Sequence, residues 1–334
     1  MTMKRGLIEM SIVQQRIYNS SILDSFQWSL EISLQEDFLK LMCKKLPQMG
    51  YPHIGHADDI YQLFNIIKRN IKCVPRNVVH SKQFSCPIEY SFALQEFEKK
   101  VTNGEDLTPF MSEKILLPNY NDLLLNDWGI HHFHLSRRYR PDGVVQRNTL
   151  QILAYVSDST VYMIQVYPHN AQNLYAKQEM IQIINENWPE LIEAYCLKDA
   201  YLPDPLDDNT YELYRKAHIS TFVQVGTKGL CSSFGGGYAS NGFSVEALRN
   251  GDFWKKRFTM FEKITLSNVE WIGKNIDSMY GKINKRCVLK IKMLWMDSVD
   301  EITMCEEISK SIIQINIQSG FMRICKPAEI FLKE

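Results

Sequence analysis

Apolar positions change period along this chain, and the change predicts its organisation. Leu23, Phe26, Leu30, Leu34, Phe38 and Leu41 recur at steps of three and four, the spacing of one helical face. Pro47 and Gly50 end that helix. A second is predicted from Ala57, with Asp58 and Asp59 in the first turn, where carboxylates suit the helix dipole. It carries Ile60, Leu63, Phe64, Ile67 and Ile71. A third starts at Ser85, with Pro87 just inside, and ends near Lys100. The segment from Thr102 to Pro109 reads as a loop. It predicts a helical N-terminal region over 1–104 and an α+β domain over 105–334.

From Asp127 the period becomes two. Ile130 to Leu135 reads as a strand, and Thr149–Val156 and Thr160–Tyr167 as a hairpin turning at Ser157-Asp158-Ser159. A helix is predicted from Leu174 to Cys196, bent at Trp188-Pro189 because proline removes a backbone donor. A short helix at Tyr211–Ala217 and a strand at Ser220–Val225 follow. The glycine-rich run from Phe234 to Gly242 leads into a helix capped by Ser244, interrupted at Arg249–Asp252 and restarting toward Ile276. The tail predicts a strand at Cys287–Met296, a helix at Asp300–Ile313 and a strand at Ile315–Ile324. The fold class is α+β: helices first, then a mostly antiparallel sheet flanked by helices.

Composition narrows the function classes. Hydrophobic residues are 45% and charged residues 23%, values of a chain with a packed core. Lys+Arg and Asp+Glu are both 38, which excludes a uniformly basic nucleic-acid binder but leaves room for a local basic patch. The eight cysteines are scattered, with no pair at the spacing of zinc ribbons, and predict reduced core thiols in a cytoplasmic protein. After Lys4-Arg5 the apolar run stops at Glu9, too short for a signal-peptide core. No stretch approaches the ~18 apolar residues of a membrane span, so no membrane partner is expected.

Chemistry concentrates in the segment from Trp128 to Arg140. Three of the eight histidines fall within four residues. On a strand, His132 and His134 share one face, while His131, Phe133 and Leu135 share the other. Phe133 and Leu135 mark the core side, which leaves His132 and His134 for a pocket or solvent. Arg137, Arg138, Arg140 and Arg147 follow, opposed only by Asp142. Cations beside histidines describe an anion site, most simply for phosphate. His169 ends the hairpin and reaches the same rim if the three strands are neighbours. Imidazoles divide general-base and general-acid roles, and arginine stabilises charge developing on phosphorus. These residues predict metal-independent RNA cleavage with no cofactor: His132, His134, His169 and Arg137 catalytic, Arg138, Arg140 and Arg147 binding substrate. Gly236, within the Gly235–Gly237 run before the Ser244 helix start, is a further phosphate contact. Two alternatives stand beside this reading. One is a metal-dependent phosphoesterase or nuclease with His132, His134 and His169 as ligands. The other is a non-catalytic RNA- or protein-binding module, and self-association into a homo-oligomer is compatible with any of the three.

Residues 121 to 170, with "LNDWGIHHFHLSRR" followed by a hairpin closing on "YPHN", resemble RelE-like ribonuclease toxins and abortive-infection proteins of bacterial anti-phage defence. The resemblance implies an antiparallel sheet flanked by helices and RNA cleavage without metal. It also implies control by an antitoxin or a defence-system partner. Carried over by residue, it nominates His132, His134, Arg137 or Arg138, and His169.

Overall fold

A computed structural model describes residues 13–16, 28–52, 57–147, 150–226, 229–281 and 287–327. Its first elements are β1 (Val13–Arg16), β2 (Ser29–Ile32), α1 (Leu34–Lys45), α2 (Ile60–Arg69), β3 (Asn77–His80), α3 (Ser91–Asn103) and α4 (Leu123–Trp128). Next come β4 (Ile130–Leu135), β5 (Leu150–Val156), β6 (Thr160–Pro168), α5 (Glu179–Asn187), β7 (Cys196–Lys198), α6 (Asp208–Lys216), β8 (Val223–Val225) and β9 (Gly229–Cys231). The chain closes with α7 (Val245–Ser267), α8 (Val269–Tyr280), β10 (Val288–Ser298), β11 (Glu301–Glu306), β12 (Ile312–Asn316) and β13 (Phe321–Cys325). The fold is α+β. Contacts divide it into one unit made of Met1–Met42 with Asp252–Glu334, and another of Cys43–Gly251.

The first unit is built on a six-stranded sheet in the order β1-β13-β12-β11-β10-β2. Its pairings are antiparallel except β2 on β10, where Ser29–Ile32 run parallel to Val288–Ile291. Helix α8 packs against β13, and its Glu270 accepts from the backbone N–H of Trp28 just before β2, while Phe38 of α1 stacks on Trp254 of α7 at 5.4 Å. Two expectations are corrected here. Leu30 lies in β2 rather than on a helix, because a partner strand some 260 residues away claims it; Leu23 and Phe26 fall outside the described residues. The stretch 300–313 is not a helix but the facing strands β11 and β12. Ile302, Thr303 and Met304 are consecutive and all buried, which suits a central strand covered on both faces.

The second unit holds a four-stranded sheet, β3-β6-β5-β4, and a small sheet, β7-β9-β8. β4 is Ile130–Leu135 as predicted, and β5 and β6 form the predicted hairpin; Thr149 lies outside the described residues. One face of the larger sheet packs on α3, where Phe97 meets Phe133 of β4 at 4.8 Å and Phe110 at 5.2 Å. Gly104, where the sequence places a division, is the C-cap of α3 and lies within this unit, between Val101 and Leu107, which share one core cluster. The other face packs on α5, through Met180, Ile181 and Ile184. The single bent helix expected over 174–196 is replaced by a 3₁₀ turn at Leu174–Ala176, α5, two further 3₁₀ turns and β7, since Pro189 stops α5 and Cys196 pairs with Cys231 across β7 and β9. Those two cysteines form a disulfide, which corrects the expectation that all eight are reduced. Ser244 caps α7, but α7 runs on through Gly251 without interruption. A Cβ at Gly251 would fall 2.3 Å from the Tyr61 ring, so glycine serves close packing there.

Candidate functional site

The second unit contains a cavity of about 490 Å³ beside β4, and the sequence of β4 explains its chemistry. Alternation turns Phe133 and Leu135 into the core against α3 and sends His132 and His134 to the opposite face. Register then supplies the neighbours. Gln151 of β5 stands across from His134, and β6 ends at Pro168, which places His169 next to them. The His134 and His169 rings stack at 5.5 Å with an interplanar angle of 24°, and the His132 and His134 rings meet edge-on at 6.0 Å. The three predicted histidines therefore share one cavity wall.

Other walls come from segments distant in sequence. Asp122 is the N-cap of α4, where Oδ1 accepts from the Leu125 N–H at 3.0 Å. Its Oδ2 stands 3.8 Å from His132 Nδ1. Tyr175 faces His132 with ring centroids 5.2 Å apart and donates its hydroxyl to Gln151 at 2.9 Å. Lys114, Arg147, Arg215 and Lys216 are the lining cations, against the carboxylates of Asp122 and Glu212. Three of these cations are engaged: Arg147 with Glu113, Arg215 with buried Asp127, and Lys216 with Glu212. Lys114 has a ring beside it, 5.9 Å from the Tyr120 centroid, and no carboxylate among the described residues.

Burial sets the protonation of this wall. His134 is pushed down to about 3, first by desolvation, then by His132, Arg147 and His169. Desolvation also lowers His132, with Asp122 pulling the other way. The Tyr175 phenol is raised by burial, against the hydrogen bond to Gln151. Among the described residues, five buried polar atoms lining this cavity lack hydrogen-bond partners: Nδ1 of His132, Nδ1 of His134, Nε2 of Gln151, Nε of Arg147 and Nη1 of Arg215. Orphaned buried polar groups are rare in folded proteins, and a cluster around a cavity marks a place where a polar guest or water completes the bonding.

Of the sequence-predicted residues, His132, His134, His169 and Arg147 come together, while Arg137, Arg138, Arg140 and Gly236 do not line this cavity. Arg137 lies over the Tyr90 ring, and Arg140 is exposed between Glu113 and Asp142. Gly236 lines a different cavity, and its N–H donates to the Ser233 carbonyl. Among the described residues no three His, Cys, Asp or Glu side chains converge to hold a metal ion. The near-parallel stacking of His134 on His169 explains this for the predicted triad, since ring lone pairs lie in the ring planes and do not meet at one point. Asp122, Lys114, Gln151, Tyr175 and Arg215 were missed. Only Asp122 carried a local signal, as an N-cap residue ahead of an apolar run. Among the described residues no helix is long and apolar enough to cross a membrane.

No protein-family model matches this chain, and no significant match exists among curated proteins or solved structures.

Proposed function

We propose that the cavity cleaves RNA without a metal, by histidine acid–base chemistry. The observation that supports this reading is the meeting of His132, His134 and His169 on one wall with Arg147 and Lys114 close by. RNA carries its own nucleophile. His134 takes the proton of the ribose 2′-hydroxyl as that oxygen bonds to phosphorus. His169, on the rim, delivers a proton to the departing 5′ oxygen. The products are a 2′,3′-cyclic phosphate and a free 5′-hydroxyl, so atoms and protons balance. Arg147 and Lys114 stabilise the negative charge that grows on the phosphoryl oxygens. Desolvation is the chief cause of the low basicity of His134. A phosphodiester entering beside it is an opposite charge to imidazolium and raises its proton affinity. The His132 ring, set between Asp122 and Tyr175, hydrogen-bonds the phosphate. Control by an antitoxin or defence partner remains a corollary of the resemblance over residues 121–170.

Incubation of the purified chain with a labelled RNA oligonucleotide, with its DNA counterpart, and with EDTA added to each, tests the reading. RNA is expected to be cut to cyclic-phosphate ends with EDTA present, DNA is expected to stay intact, and His134→Ala is expected to lower the rate at least 100-fold. Cleavage that stops on chelation, intact RNA, or full activity in His134→Ala each refute it.

A further inference from the structure

A second cavity, of about 460 Å³, lies in the same unit at the N-terminal end of β4. It is lined by Gly129 and His131, by Tyr155 and Val156 at the end of β5, and by Phe234–Gly236 of the glycine-rich loop. Lys68 of α2, with Glu246 and Arg249 of α7, also lines it.

Three observations define what it fits. First, its apolar part is aromatic: the Phe234 ring lies 6.4 Å from both Tyr155 and Tyr195. All three rings line the cavity, and a base laid against such a ring gains about 1–3 kcal/mol in known sites. Second, His131 is 8% exposed, lines the cavity and makes no hydrogen bond among the described residues. Burial holds it at about 4, so the ring is neutral at pH 7 and offers one donor and one acceptor nitrogen. Third, the charges are unequal. Lys68 is already bound to Glu246 at 3.0 Å, to the Gly235 carbonyl and to Ser244. Arg249 is exposed at the mouth and has no carboxylate partner among the described residues. The loop is rigid support, because the Gly235 and Gly237 N–H groups donate to the Asp127 and Asn126 carbonyls at 2.7 and 2.8 Å.

We propose that this second cavity binds a nucleoside monophosphate, with the base against the wall formed by Tyr155, Tyr195 and Phe234, its edge bonded to His131, and the phosphate on Arg249. The volume suits a ligand of that size, since small-molecule sites run from roughly 300 to 1,000 Å³. None of these residues lines the histidine cavity, so the proposal does not rest on the ribonuclease reading.

Calorimetric titration of the full chain with 5′-AMP, GMP, CMP and UMP, and with the matching nucleosides, tests it. At least one nucleotide is expected to bind saturably with a sub-millimolar Kd, its nucleoside at least tenfold more weakly. Arg249→Ala, a surface change, is expected to weaken nucleotide binding at least tenfold, and His131→Phe to weaken nucleoside and nucleotide alike. His134→Ala is expected to leave this binding in place. The proposal fails if none of the four binds, if Arg249→Ala leaves Kd within twofold, or if His134→Ala abolishes the binding while Arg249→Ala does not. That last result would assign the nucleotide to the histidine cavity.

Discussion

Acid should unfold the Cys43–Gly251 unit through its buried histidines, at a pH where most carboxylates are still ionised. His131 is held at about 4 and His134 at about 3, against 6.5 for an unperturbed imidazole, in both cases chiefly because burial penalises the charged ring. A depressed histidine leaves the unfolded chain binding more protons below pH 6.5, so stability is complete above that value and is lost as pH falls toward the folded values. At pH 5 an unfolded imidazole is almost fully protonated and a folded one with a value of 4 or less is almost fully neutral. Each histidine then costs about 2 kcal/mol relative to pH 8, nearly independent of how far below 4 its folded value lies. Two of them cost about 4 kcal/mol, a large part of a typical margin of 5–15 kcal/mol. The slope near pH 5 should be about 2.5 kcal/mol per pH unit, and the lowering of His132 adds to it in the same direction. Urea unfolding from pH 8 to pH 5, followed by tryptophan fluorescence, measures it. His134→Asn should remove about 1.4 kcal/mol per pH unit from the slope, whatever it does to the absolute stability. Stability that changes by less than about 1 kcal/mol over that range, or a slope unaltered in His134→Asn, would refute the argument.

Two further outcomes follow from the packing. Gly235→Ala would place a methyl 2.3 Å from the Gly129 nitrogen and the Leu125 carbonyl, both backbone atoms, and should cost about 3 kcal/mol or more in the urea midpoint; an unchanged midpoint contradicts that close approach. Thiol titration of the chain, denatured without reductant, should find the six free cysteines and two more only after reduction, whereas eight at the outset would exclude the Cys196–Cys231 bond.

Local pattern was enough to place β4, β5 and β6, because a period of two is written into neighbouring residues and one face of the sheet is buried against α3. The same alternation put His132 and His134 on a shared face away from Phe133. Local pattern failed where a distant partner decides the conformation. Leu30 reads as helical until β10 pairs with it, and 300–313 has helix-like spacing that two facing strands override. Tertiary structure alone chose which arginine of the cluster joins the histidines. Arg137, Arg138 and Arg140 are nearer in sequence, yet Arg147 reaches the cavity. It alone joined Asp122, Tyr175 and Arg215 to that wall, from a helix cap, a 3₁₀ turn and α6. The physical reason is common to all of these cases. Side-chain alternation is a property of a few consecutive residues, whereas a cavity wall and a strand pairing depend on segments tens to hundreds of residues apart, and their placement is set by how whole faces bury one another.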